Sequence, residues 1–446
     1  YCTDALYPEY NIWQDFFASD CVVAFCRDVL PGVQAVQQEV HHPAEIATLF
    51  DSAIVYAKGA HLMLMLIRLM GREDFLKGLR YYFEKQAYQN TIGDDLWNAL
   101  QPFAKFKVKD FMHAWISQPG FPSLQHAKNC DQEWWDQQRL LINGTTDDSK
   151  WPIPKVTDDM SGHYVIELTS QEFTQKLTTF DTLSSEQKLR LLIDRMILAR
   201  ASIVNSASLV ELISKFSSEA SAATWSVLTS IIGDIKLFCP VDTPAFEDYK
   251  AFLGSVFAEQ IEAISYDDLG SDSNAIQRRD AIINVAIYIR DAKVLKHLAD
   301  LHHDNLAEIP HELRSAILSA KMLTDESSSF SAFLDRYQSE SDPELRADLL
   351  FAIASHAGQP QHLDELLGLL KQPEIVRPQD HIFLYIYLLR NYHARKRTLL
   401  WLTENWPYIE KLTGEKSIED YPRYASSIIR TPDEAKIFYD FFDLKQ

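Results

Sequence analysis

Five cysteines in 446 residues are too few and too scattered to staple a fold. Cys2, Cys21, Cys26, Cys130 and Cys239 are odd in number, which favours reduced thiols, a reducing compartment and a cytoplasmic location over a disulfide framework. Cys21 and Cys26 lack the spacing of a CxxC redox or zinc knuckle. Positive charge is also scarce: the formal net charge is −20, so nucleic acid and anionic membrane are poor electrostatic partners. The longest apolar run, Leu62 to Met70, is broken by Arg68 and is too short to span a bilayer. No GxGxxG, GxxxxGK[ST] or GxSxG segment occurs, which removes the common nucleotide loops and the serine-hydrolase elbow. No charged-then-apolar leader opens the chain, and Tyr1 reads as a start inside a domain. Asn143-Gly144-Thr145 is a lone glycosylation sequon, more often a chance match than a used site.

Metal-ligand spacing is missing as well. His311-Glu312-Leu313-Arg314-Ser315 begins like HExxH, but its fifth position is Ser315, so no second imidazole follows one turn on. After Ile309-Pro310 it reads as an ordinary helix start. His41-His42 and His302-His303 are adjacent pairs whose rings point to different faces. None of these holds a metal on this reading.

What remains is a chain with 46% hydrophobic and 24% charged residues, long enough for two to four domains. The fold class is mainly α. Residues 1–120 read as helices with short joins: Pro43-Ala44-Glu45-Ile46 opens one. From Tyr56 onward, Leu62, Met63, Leu66, Ile67 and Leu69 recur at helical spacing until Gly71 stops the helix. Asp94-Asp95-Leu96-Trp97 starts another. Gln118-Pro119-Gly120-Phe121-Pro122 breaks this pattern. Residues 121–170 then give strand-like pieces at 139–142, 151–154 and 163–168, with Asn143-Gly144 as a turn, read as a small β-sandwich. Residues 171–446 are successive amphipathic helices without a strict period, an irregular HEAT-like superhelix. Ser184-Ser185-Glu186-Gln187 opens the first long one, with Leu189, Leu192, Ile193, Met196 and Ile197 as its buried stripe.

Several motifs carry a resemblance. Ala53-Ile54-Val55-Tyr56-Ala57-Lys58-Gly59-Ala60, with His42-Pro43 and Phe50-Asp51 ahead of it, resembles the "HP…FD…Y.KGA" run of the gluzincin zinc aminopeptidases, the relatives of aminopeptidase N and puromycin-sensitive aminopeptidase. Tyr7-Pro8-Glu9-Tyr10-Asn11-Ile12-Trp13 resembles the segment after the third zinc ligand of that family. Asn90 with Asp94-Asp95-Leu96-Trp97, then Trp115 through Pro122, resemble the motifs that close its catalytic domain. Trp151-Pro152-Ile153-Pro154, His163-Tyr164, Asp194-Arg195, Asp342 to Arg346 and Trp401 to Trp406 follow in family order. Each is weak alone, and their order and spacing together cover nearly the whole chain. Two departures stand out: HExxH, the distal Glu and the exopeptidase loop are absent, and the stretch between Trp151 and Tyr164 is shorter by several strands.

The resemblance implies the helical half of a thermolysin-like catalytic domain, a small β-sandwich and a helical domain that closes over the active site. It also implies a parent enzyme that uses zinc to remove amino-terminal residues from peptides, while this chain alone holds no zinc and is inactive. The missing amino-terminal part of the catalytic domain is then a partner, with peptide as substrate. In that mechanism Tyr56 supplies a hydroxyl to the oxyanion of the tetrahedral intermediate. An arbitrary tyrosine at a helix start packs with its hydroxyl on backbone, and it is the flanking Lys58-Gly59-Ala60 that favours the functional role. Gly59 and Ala60 are expected to allow close helix packing. Arg390, Arg395, Arg397, Arg423 and Arg430 are candidates to face an inner cavity and meet a peptide carboxylate, against a surface salt bridge for each. The competing reading is a non-catalytic helical scaffold or peptide-binding module with an aminopeptidase-like body.

Overall fold

A computed structural model describes residues 2–43, 46–128, 133–267, 269–270, 272–303, 305–413 and 418–443. Cys130 and the Ala44-Glu45 pair lie outside the described residues. The mainly helical class holds, and the chain divides into two compact units, Tyr1–Ile231 and Ile232–Gln446.

In the first unit the apolar periodicity after Tyr56 becomes the helix Gly59–Met70, whose Leu62, Met65 and Leu66 are buried against Phe75, Trp97, Phe111 and Trp115 from the three helices that follow. Burying such side chains contributes about 1.5–3 kcal/mol each, which is why a short helix without a side-chain cap is stable here. Gly71 ends it at φ +87°, a backbone angle that costs a Cβ-bearing residue, and at once caps the helix Arg72–Gln86. The helix extends backward: Ser52–Lys58 is a π-helical turn that runs directly into it. The 19 continuous residues Ser52–Met70 are long and apolar enough to cross a membrane by length and composition, but most of their apolar window is packed inside the unit. The apolar count from Leu62 misses the first two turns. Lone core helices of this kind pass the same test.

The β layer is one three-stranded sheet, ordered β2-β1-β3. Strands β1 (Pro122–Lys128) and β2 (Glu133–Arg139) pair antiparallel, with Pro122 opposite Arg139 and Ala127 opposite Trp134. The two-residue β3 (Val165–Ile166) pairs parallel to β1. No second sheet faces it among the described residues, so the expected strand pieces need correcting. Leu140 to Ile142 leave the sheet, and Ile142 donates its N–H to Val29 O instead. Trp151 to Pro154 form no strand, because two prolines remove ladder donors. Trp151 is held by the Gln137 side chain at both its N–H and its C=O.

Helix Ser185–Arg200 opens with the expected capping box, Ser184 and Gln187 bonding each other's backbone N–H. Its stripe is wider than amphipathic: all ten residues from Leu189 to Leu198 are buried. Arg190 explains how charge is tolerated there, donating to Asp194, to Gly162 O and to Tyr164 O. Asp194 in turn accepts from Ile166 N–H, which fixes the helix to β3.

In the second unit, Ser273–Ile289, His311–Thr324, Pro343–His356 and Pro378–Arg390 pack in series, with shorter helices between them. Asp325, Asp342 and Thr431 cap three of the helices through their side chains.

Candidate active-site turn

Tyr56 sits on the π turn Ser52–Lys58 rather than in a regular α-helix. Such turns are rare, and they occur often at functional sites because the extra residue re-aims side chains. Ala53, Ile54, Ala57 and Lys58 face inward, and Tyr56 faces outward with 62% of its surface exposed. Its hydroxyl makes no hydrogen bond among the described residues, so the backbone-bonded alternative does not apply. At the start of the turn, Asp51 accepts from Ala53 N–H at 3.0 Å and pairs with Arg27 Nε at 2.6 Å.

The end of the turn is buried chemistry. Lys58 Nζ lies 2.8 Å from Asp28 Oδ2, and both side chains are fully inaccessible. The same ammonium donates to Gly120 O at 2.9 Å, and Gly120 N–H donates to Asp28 Oδ1 at 2.9 Å. Gly120 has φ +86°, and a Cβ there would lie 2.5 Å from Arg139 Nε, so this corner accepts only glycine. Behind Asp28 stand two buried imidazoles. His163 Nε2 is 3.3 Å from Asp28 Oδ2, His163 Nδ1 is 3.1 Å from His61 Nδ1, and His61 Nε2 is 3.1 Å from Met160 O. Phe25 stacks on the His163 ring at 4.6 Å.

Burial pushes the Asp28 carboxyl up, but the Lys58 ammonium and the contact with His163 outweigh it and hold the group below its usual value. Burial lowers His163 to about 4 against the pull of Asp28, and burial with the neighbouring His163 lowers His61 well below 6.5. Both rings are therefore neutral at pH 7. Two ring protons then serve three contacts. The buried carboxylate is the acceptor that most needs one, so His163 holds its proton on Nε2 and donates to Asp28 Oδ2. His61 then has one proton for His163 Nδ1 and Met160 O, and one of those two contacts goes without a hydrogen.

Among the described residues, no three His, Cys, Asp or Glu side chains converge as a metal site. His311 is an exposed first residue of its helix, His41 is exposed, and His303 pairs with Glu308 at 3.3 Å. Burial raises the Cys21 thiol, and Cys26 Sγ accepts from Arg200 Nη1 at 2.7 Å. Asn143 folds its side chain onto Thr145 N–H and Oγ1 in an exposed turn. Gly59 is not a close-packing site in this chain: a Cβ would meet only Ile54 O at 3.9 Å, and Ala60 is exposed.

The five arginines separate. Arg397 pairs with Asp364 and Arg423 with Asp420, both at the surface. Arg390, Arg395 and Arg430 line a cavity of about 1150 Å³ in the second unit, together with Lys236, Arg290, Lys396 and His356. Asp433 pairs with Lys396 and Glu434 with Arg395, and Glu434 also accepts from Arg430 N–H at 2.8 Å, while the side chains of Lys236, Arg290, Arg390 and Arg430 form no ion pair among the described residues. Lys236 and Arg390 end their helices and Arg290 caps its own, so helix dipoles account for part of this charge, while burial lowers His356 to about 3 and leaves it neutral. Burial and then the fields of Arg395 and Arg390 lower Lys236, which marks a wall where cations crowd one another. Lys236, Arg290 and His356 carry no signal in the sequence beyond their places at helix ends.

An exposed tyrosine on a pinned π turn, a small sheet and a long helical unit define the class, and comparison with known proteins gives it a family. A model of the ERAP1-like C-terminal domain matches residues 155–446, and one of the peptidase family M1 domain matches residues 1–115. The chain belongs to this family of M1, or gluzincin, aminopeptidases. It is 30% identical to Aminopeptidase N of Lactococcus lactis subsp. lactis (strain IL1403), over 100% of this chain and 57% of that protein. Aminopeptidase 2 of Candida albicans (24%, covering 92% and 49%) and the Tricorn protease-interacting factor F2 of Thermoplasma volcanium (24%, covering 88% and 51%) are also similar. The chain thus spans about half the length of the curated relatives it matches.

Proposed function

We propose that the whole protein is a zinc-dependent aminopeptidase and that this chain supplies Tyr56 as the donor to the reaction's oxyanion. Family membership supports the peptidase class, and the observation that carries the residue is an outward, unbonded phenol on a turn pinned at both ends. The described residues do not fit a zinc ion, so no step of this chain runs through the metal, and its ligands belong upstream in the family pattern. The chain alone is then inactive. When water adds to a peptide carbonyl, negative charge gathers on the oxygen, and a preorganised phenol O–H stabilises it by a hydrogen bond that is stronger in the transition state than in the ground state. Residues 1–120 contribute that turn, 121–170 the small β layer and 171–446 the cavity-enclosing helices. In the second unit the cation-lined cavity suits an acidic group of a peptide, and the carboxy-terminal carboxylate is the one every peptide has.

The test is zinc content and alanyl-anilide hydrolysis of the full-length protein with Tyr56→Phe. Bound zinc with a rate loss of about 10²–10³ supports the reading. A neutral Tyr56→Phe refutes the role, and a protein without zinc favours the scaffold reading.

A further inference from the structure

We propose that Lys58 and Asp28 are positioning residues that act through Tyr56: they lock the π turn and so set where its hydroxyl stands. The proposal rests on the reading of Tyr56 given above. A π turn is wider than an α turn and rarely persists without tertiary restraint. Here both ends of the seven-residue turn are held from one place. Arg27 and Asp28, consecutive on the helix Val22–Asp28, grip Asp51 ahead of the turn at 2.6 Å and Lys58 at its end at 2.8 Å. The two grips have opposite polarity, cation on anion and anion on cation, and a slip of the turn by one residue would break both, leaving Arg27 against Phe50 or Ser52 and Asp28 against Ala57 or Gly59. The buried grip is the stiffer one. Lys58 also bonds Gly120 O, while Asp28 takes Gly120 N–H, so both charges close on one peptide corner.

Stability alone does not explain this arrangement. A fully buried ion pair is often no more stable than an apolar pair of similar volume, whereas it does fix direction. An apolar side chain at position 58 fills the same space without fixing the azimuth of the turn. Tyr56, two residues away and facing outward, is the side chain whose position that azimuth decides.

The experiment is a double-mutant cycle on the full-length protein, with kcat and KM measured on alanyl p-nitroanilide for wild type, Tyr56→Phe, Lys58→Met and the double variant. If Lys58 acts through Tyr56, Lys58→Met lowers kcat by about 10–10²-fold and changes KM less than about threefold. The double variant is then no slower than Tyr56→Phe alone, because the hydroxyl being positioned is gone. Losses that multiply show that Lys58 supports the fold or another group, and overturn the inference while leaving Tyr56 in place. A neutral Tyr56→Phe overturns the reading of Tyr56 itself, and the inference with it. Should Lys58→Met fail to fold, Asp28→Asn keeps the acceptor for Gly120 N–H and takes its place in the cycle. A double variant no slower than Tyr56→Phe again supports the inference, and multiplying losses again overturn it.

Discussion

Acid should open the cluster behind Tyr56, and His163 should be the group through which it does so. Its folded value is lowered to about 4 from an ordinary 6.5, so the fold favours the neutral ring. Above pH 6.5 neither folded nor unfolded chain holds the extra proton, and His163 contributes nothing to pH dependence. Between 6.5 and about 4 the unfolded chain binds a proton that the folded one refuses, so stability falls with pH. Below about 4 both bind it and the slope ends. The interval is worth roughly 3 kcal/mol, or about 10²-fold in an opening equilibrium. Asp28, held below its usual value, adds a loss in the same direction only at lower pH, through its own folded value. The groups facing His163 are Asp28, Lys58, His61 and, more distantly, Arg190; only His61 shares its titration window, and it acts with the same sign. Two compact units make a single global unfolding curve ambiguous, so the assay should be local. The Gly120 amide donates to Asp28 Oδ1, and its hydrogen exchange, corrected for intrinsic rate, reports opening of this cluster. Protection should drop by more than about 10²-fold from pH 7 to pH 4 in the wild type, and by about 10²-fold less in His163→Gln, where only His61 still titrates. Equal drops in the two proteins would refute the assignment.

The same geometry sets three further outcomes. Tyr56→Phe should cost about 10²–10³ in the hydrolysis rate of the full-length protein and leave its zinc content unchanged, measured by metal analysis beside the rate. Gly78→Ala should destabilise the first unit by about 1 kcal/mol in urea unfolding: the new Cβ would lie 2.7 Å from Leu100 Cδ2 and 3.1 Å from Leu100 Cα, and that overpacking exceeds the helix-propensity gain. A more stable variant would show that Leu100 yields freely. Lys236→Gln and Arg390→Gln should each weaken binding of a peptide acid about tenfold and leave the matching peptide amide unchanged, by calorimetry. Equal effects on acid and amide would mean the cations serve only their helix ends.

How much of the fold and site is legible in the sequence depends on whether a residue's neighbours in space are also its neighbours in the chain. Helix Gly59–Met70 is readable because Leu62, Leu66 and the residues between them mark one face every three or four positions, and Gly71 marks the stop. The sheet is not, because β3 takes only two residues and its register on β1 is set from across the fold, while Trp151 is held by a side chain rather than a ladder. Tyr56 is readable through its companions, but the turn that presents it is not: a π turn and an α turn differ by one hydrogen-bond step, which composition does not encode. Lys58 is the least legible of all. In Lys-Gly-Ala it looks like any solvated lysine, and its partners come from remote segments, with His163 lying 135 residues from Asp28 and 102 from His61. A buried charge is specified by the partner that neutralises it, and only the fold brings the two together. The arginines show the converse limit. All five carry the same charge and three end at one cavity wall, yet a cation at a helix terminus reads the same whether it faces its own dipole, a carboxylate or an open cavity. Charge type is local information, and the direction in which a charge faces is not.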